Sequence, residues 1–159
     1  MKKIIVVAFL VCAAACTPVL PDYLVPVESY LAEDVGHAYF FGKVFCAYDV
    51  LGADVRPDKA DVYVWALCGE YYVDKNVLTP GTASSLPVAI HLQMEDGRYV
   101  VIGHEVPMDG MEWGASIQRI FPSDAIEKMC ETNAGCYNER AERLEEAIEQ
   151  KAMDYYGLK

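Results

Sequence analysis

The chain has 159 residues, with 24 acidic against 13 basic side chains and a formal net charge of −11. That length suits one domain with a core of its own. The acidity repels phosphate backbones and anionic headgroups, which excludes nucleic acid as a partner and a purely electrostatic hold on a membrane.

Residues 1–15 begin Met1-Lys2-Lys3, run through apolar Ile4 to Leu10 and end on Ala13-Ala14-Ala15. A basic start, an apolar run too short to span a bilayer as a helix, and small residues at the exit together read as a secretory signal peptide. Cys16 follows directly. Ala13-Ala14-Ala15-Cys16 resembles the lipobox of bacterial lipoproteins, with Ala13 where that motif prefers Leu. The resemblance implies cleavage before Cys16 and acylation of its thiol; the alternative is ordinary cleavage that leaves the thiol free. Two or three acyl chains on Cys16 hold a domain stably at a membrane, whereas one is marginal. Losing Lys2 and Lys3 leaves 13 − 2 = 11 basic residues against 24 acidic, a net charge of 11 − 24 = −13. The expected location is the cell membrane, lipid-anchored, facing outside the cytoplasm.

Residues 16–26 contain Pro18, Pro21 and Pro26 and no periodicity, and read as a proline-stiffened tether. Residues 27–159 read as a single α+β domain. Val27 to Val35 suits a short helix with Tyr30 and Leu31 inward and Gly36 as its stop. Ala38 to Leu51 is dense in aromatic and β-branched residues, as a strand is, with Gly42 as a bulge candidate. Gly52 to Ala60 reads as a polar loop. Asp61 to Val73 returns as a strand, with Val62, Val64, Ala66 and Cys68 on one face and Tyr63, Trp65, Leu67 and Tyr71 on the other. Both faces are apolar, so helices are expected over at least one of them. Asp74 to Leu86, with Pro80, Gly81, Ser84 and Ser85, reads as a long loop.

Pro87 to Glu105 reads as a hairpin turning at Glu95-Asp96-Gly97, because Gly97 supplies the positive φ that a tight turn needs. Val88, Ile90, Leu92 and Met94 share one face. A three-residue loop would add Val100, Ile102 and Val106 to it, the tidier packing; a two-residue loop would bring Tyr99 and Val101 inward instead. Both remain open. A turn at Pro107 leads to a short helix closed by Phe121-Pro122, then a second capped by Ser123 over Asp124–Glu131. A long helix from about Tyr137 to Tyr156 carries Ala141, Leu144, Ile148, Ala152 and Tyr155 on one stripe and stops at Gly157. The sum is an antiparallel four-strand meander with flanking helices and a long C-terminal helix.

Beyond Cys16 the domain contains Cys46, Cys68, Cys130 and Cys136, which in an exported chain allow three disulfide pairings. Cys46–Cys68 and Cys130–Cys136 are favoured, the first pair lying symmetrically about the turn near Pro57 and the second flanking a Gly-containing turn. Free buried thiols are the alternative. No C-x-x-C pair occurs and no histidine lies near a cysteine in sequence, so zinc is disfavoured and no metal or cofactor is expected. No serine sits in a nucleophile elbow, His104-Glu105 lacks the second histidine of a zinc protease, and no phosphate-binding glycine loop is present. His91 and His104 would be diagonal neighbours in the two-residue-loop register, a two-ligand corner at most. Asp109 and Trp113 read either as a turn with its cover or as the lip of a ligand site.

Tyr99, Pro107-Met108-Asp109-Gly110, Trp113, Ile117 and Ile120-Phe121-Pro122 resemble a recurring pattern in small lipoproteins of Gram-positive bacteria. They also resemble an extracellular segment appended to BlaR/MecR-like membrane antirepressor proteins. The similarity covers roughly residues 38–128, and Ser84-Ser85-Leu86-Pro87-Val88 fits it as well. The protease chemistry of the larger proteins lies elsewhere in them, and its metal-binding motif is not in this chain; the cysteines and the long C-terminal helix also depart from the pattern. The expectation is a non-enzymatic, membrane-anchored binding, sensor-accessory or inhibitor-type domain with an envelope protein partner. The alternatives are a small envelope hydrolase using His91, His104 or the acidic turn residues, and a purely structural lipoprotein.

Overall fold

Layering in this protein follows from one strand that is apolar on both sides. In the computed structural model, which describes residues 20–130 and 134–158 (side chains of 130 and 134–138 set aside), that strand is β2, Lys59–Asp74. It pairs antiparallel with β1 (Lys43–Val55) and with β3 (Val77–Glu95), and β3 pairs with β4 (Arg98–Glu105), in the order β1-β2-β3-β4. The architecture is α+β with an antiparallel meander, as the sequence indicates.

Period-two alternation along β2 divides the core in two. Val62, Val64, Ala66 and Cys68 join Val88, Ile90 and Leu92 under an N-terminal helix. That helix is α1 (Val27–Tyr30), continued by a wider turn over Leu31–Val35, and it buries Val27, Leu31 and Val35. Tyr63, Leu67 and Tyr71 face the other way, toward α2 (Trp113–Ile120), α3 (Ser123–Cys130) and α4 (Ala134–Tyr156). Ile117, Phe121, Ala125 and Met129 cover Leu51, Tyr63 and Ala89. Leu144, Ile148 and Ala152 of α4 cover Phe45, Ala47, Leu67 and Tyr71. Arg140 and Arg143 fasten α4 to β1 through Asp49, at 3.2 Å from Nε and at 2.8 and 2.7 Å from the two guanidinium nitrogens of Arg143. The hydrogen bond from Arg143 holds the Asp49 carboxyl below its usual range, against the opposing effect of burial.

Several expectations are corrected. Asp74 to Leu86 is no loop: β2 turns at Lys75-Asn76, both at positive φ (50° and 63°), and β3 begins at Val77. This two-residue turn matches the twist of the flanking strands. Pro80 and Pro87 fit because β4 pairs only with residues 89–95 of β3, so the upper half of β3 has an open side that needs no N–H. The Gly52–Ala60 loop is likewise shorter, since β1 runs to Val55 and β2 starts at Lys59. Gly42 precedes β1, and the bulge lies at Leu51, between the pairs Val50–Val64 and Gly52–Tyr63. On α4, Tyr155 is exposed and Tyr156 docks instead, its hydroxyl donating to the Tyr71 carbonyl at 2.9 Å.

The β3–β4 turn has two residues, Asp96 (φ 48°) and Gly97 (φ 79°), with Glu95 opposite Arg98. Tyr99 and Val101 therefore pack inward, and Ile102 is exposed. A bulge then shifts the register between His91 and Leu92, so that Ile90 faces His104 and His91 faces Gly103. His91 and His104 consequently project from opposite faces. They form no corner.

Cys46 and Cys68 pair directly across β1 and β2 and form a disulfide, with Cα atoms 4.1 Å apart. Cys16 and the side chains of Cys130 and Cys136 lie outside the described residues. Reducing the Cys46–Cys68 bond is expected to lower unfolding free energy by about 3 kcal/mol, given the loop it closes. Urea unfolding of oxidised and reduced protein checks this; coincident midpoints would contradict it.

Candidate functional site

The one buried carboxylate among the described residues is Glu70, 1% exposed, near the end of β2. Its Oε1 accepts the backbone N–H groups of Phe40 and Gly42, and Oε2 accepts that of Tyr39, each at 2.8 Å. From the facing strand the Thr82 N–H lies 3.5 Å from Oε2. The Thr82 hydroxyl donates to the His37 carbonyl at 2.8 Å and lies 3.2 Å from Glu70 Oε2. A carboxylate is what this place requires, because it is acceptor-only and has lone pairs for several donors at once. Burial pushes the Glu70 pKa up, but the N–H groups of Tyr39, Gly42, Phe40 and Thr82 outweigh it and bring the value down to about 2. Glycine is needed opposite: a Cβ on Gly81 would stand 2.7 Å from Glu70 Oε2.

These bonds fix the chain from His37 to Gly42 in an unusual form. Phe41 has φ 60°, a left-handed conformation that costs a bulky residue free energy and that surrounding structure must impose. Here the imposing contacts are the Glu70 bonds on either side of it. The side chains so displayed are apolar and turned to solvent: Tyr39 is 72% exposed, Phe40 57%, and Phe41 fully. Phe40 stacks on Tyr72 at 6.1 Å between ring centroids. Val73, Val77 and Tyr155 are exposed at the same end of the sheet. Clustered exposed aromatics on a fixed loop mark an interaction surface, whereas single scattered ones do not.

Beside this loop a cleft of about 910 Å³ lies between α1 and the end of α4, floored by β1. Phe41 and Tyr155 line it, as do the charged side chains of Glu28, Glu33 and Lys43. Lys43 Nζ sits 4.6 Å from the Tyr155 ring centroid. Lys151 Nζ reaches in to bond the Cys46 carbonyl at 2.8 Å and Glu28 at 2.7 Å. β1 is an edge strand, so this cleft runs along backbone that no strand pairs.

Residues singled out from sequence are placed elsewhere. His91 Nδ1 lies 2.8 Å from Asp61 and its Nε2 3.4 Å from Glu105, while Arg56 pairs with Asp61. His91, Asp61 and Arg56 border a separate cleft of about 390 Å³, and no hydroxyl or thiol side chain lines it. His104 is apart from this cluster, its Nδ1 2.8 Å from the Tyr30 hydroxyl. Among the described residues no group of three or more His, Cys, Asp or Glu side chains is placed to hold a metal ion. Asp109 is exposed and precedes a single turn, Gly110–Glu112, without capping it through its side chain. Trp113 opens α2, partly exposed beside fully exposed Met111, and neither Asp109 nor Trp113 borders the two clefts above. Ser116 organises that turn, accepting from the Met108 N–H at 3.0 Å and donating to the Trp113 carbonyl at 2.9 Å.

Sequence reasoning missed the principal site. Tyr39, Phe40 and Phe41 read as strand in the sequence because their β propensity is high, yet they precede β1. The signal that could have found them is Glu70, a charge on the inward-facing period of an otherwise apolar strand, which must be matched by donors from another segment. Comparison with protein-family models, with curated proteins and with solved structures finds no match.

Because Glu70 has its folded pKa near 2 against an ordinary 4.5, its ionised form contributes stability fully above about pH 4.5. That contribution is lost as pH falls from 4.5 toward 2. Urea midpoints measured across this window should fall more steeply for the natural chain than for Glu70→Gln, whose midpoint is lower throughout the upper part. Parallel curves for the two proteins would contradict the assignment.

Proposed function

We propose that this chain is a lipid-anchored extracytoplasmic binding domain whose recognition surface is the aromatic loop Tyr39–Phe41 with the cleft beside it. The observation that carries this is the cost accepted to display the loop. A buried charge and a left-handed phenylalanine serve to hold three aromatic side chains in water, where burial would stabilise each by roughly 1.5–3 kcal/mol. Such anchors dominate the energetics of protein interfaces when a partner covers them. The leader, Cys16 and the Cys46–Cys68 disulfide agree with an oxidising location outside the cytoplasm. The resemblance of the Tyr99–Pro122 region to small lipoproteins adds to the reading. In it Asp109 and Trp113 serve the turn into α2.

Mass spectrometry of the mature N-terminus tests the anchor. Expected is a chain beginning at Cys16 and carrying acyl groups, which partitions into detergent, and a Cys16→Ser variant that gains no acyl mass. An unmodified thiol at a processed N-terminus, or full-length precursor in the cytosol, would contradict the proposal.

A further inference from the structure

We infer that the cleft receives an extended segment of an extracytoplasmic partner protein, added as a further strand along β1 with Phe41 and Tyr155 gripping its side chains. This rests on the binding-domain reading above and names what that surface takes. The first support is the backbone. Cys46 and Cys68 lie directly opposite with Cα atoms 4.1 Å apart, the spacing of a pair that exchanges no ladder hydrogen bonds. The N–H and C=O groups of Cys46 therefore point away from β2, and Lys151 meets that carbonyl from outside. By alternation, in a register unbroken from Lys43 to Val50, the groups of Val44 also point outward into the cleft. No strand pairs this edge, and an incoming strand would take the Cys46 carbonyl over from Lys151, which keeps Glu28 as its partner; a strand edge flanked by pockets for side chains is how extended peptides are bound.

The second support is charge. The lining carries Glu28 and Glu33 against Lys43, with Lys151 pairing Glu28 at 2.7 Å, and the sequence from His37 to Phe45 contains no carboxylate in a chain this acidic. A mixed rim suits a peptide better than a uniformly anionic surface.

The third concerns the bilayer, the other occupant to weigh. Tyr23 packs on Tyr99, whose hydroxyl donates to the Arg56 carbonyl, so the tether joins the domain at the Arg56–Lys59 end of the sheet. Phe40 stacks on Tyr72 at the opposite end. From Lys59 to Tyr72 is 72 − 59 = 13 residues of strand, about 43 Å at ~3.3 Å each. From Cys16 to Tyr23 is 23 − 16 = 7 residues, about 25 Å when fully extended. The tether does not bring the aromatic end to the membrane of an upright domain. A domain lying flat on the cleft side would press Glu28 and Glu33 onto anionic headgroups.

Photo-crosslinking in the producing cells tests this, with p-benzoylphenylalanine placed at Phe41 of the full chain and, as control, at Ile102. Val44→Pro removes an outward N–H while leaving the β1–β2 ladder intact, a substitution edge strands tolerate. Expected is one discrete protein adduct from position 41 and none from 102. Val44→Pro should reduce that adduct about tenfold or more, with the disulfide formed and the melting transition retained. If Val44→Pro does not fold, Tyr155→Ser, on an exposed rim side chain, must give the same loss. A phospholipid adduct at position 41, no adduct, or a protein adduct indifferent to these substitutions would overturn the inference. The N-terminal mass from the same cells separates the two proposals: an unacylated Cys16 with a Val44-dependent adduct removes the anchor and leaves strand addition standing.

Discussion

The carboxylate of Glu70 carries more of this structure than any other polar group described. It ties the segment leaving α1 to β2 and β3 at one point, and so sets where the aromatic loop stands relative to the sheet. A buried charge is normally a liability, because its desolvation has to be offset by donors of good geometry. Here the donors are backbone N–H groups, which cannot rotate away and which have no helix or ladder partner of their own in this turn. The same bonds satisfy both sides. The loop needs an acceptor cluster and the charge needs donors, and neither arrangement is stable without the other.

Around that point the fold is conventional in its energetics. One strand with two apolar faces demands two covers. They come from opposite ends of the sequence, α1 on one side and α2 to α4 on the other. The result is a long sheet whose upper half is three strands wide, since β4 reaches only as far as Ala89. That leaves open edges on β1 and on the upper part of β3. The aromatic loop and the cleft belong to the β1 side, while Tyr23, near the start of the described residues, packs on Tyr99 at the other end. In the function proposed above, recognition and attachment would be separated by the length of the sheet.

How much of this was readable from sequence depends on the range of the interaction. Alternation along Val62–Cys68 and Tyr63–Tyr71 identifies β2 and both its faces, because burial on a strand is a period-two pattern written locally. Asp96-Gly97 marks its turn for the same reason. Lys75-Asn76 does not, since lysine is an unusual occupant of a left-handed position, and Pro80, Gly81 and the serines after it mimic loop composition. Those prolines make sense only once the shortness of β4 is known. The bulge in the β3–β4 pairing, which separates His91 from His104, has no composition signal at all; it shows only in the register, where Ile102 is the extra residue between Val101 and Gly103. The Cys46–Cys68 pairing was legible from symmetry about Pro57. The aromatic loop was not, because what lifts it out of the strand is Glu70, some 30 residues away.

Whether an ionised Glu70 holds the Tyr39–Gly42 turn rigid, so that its aromatic side chains are presented, is decided by amide hydrogen exchange resolved residue by residue. The N–H groups of Tyr39, Phe40 and Gly42 should exchange as slowly as amides within the sheet, and Glu70→Gln should release these three while the β2–β3 ladder stays protected. Fast exchange at all three in the natural protein would contradict it.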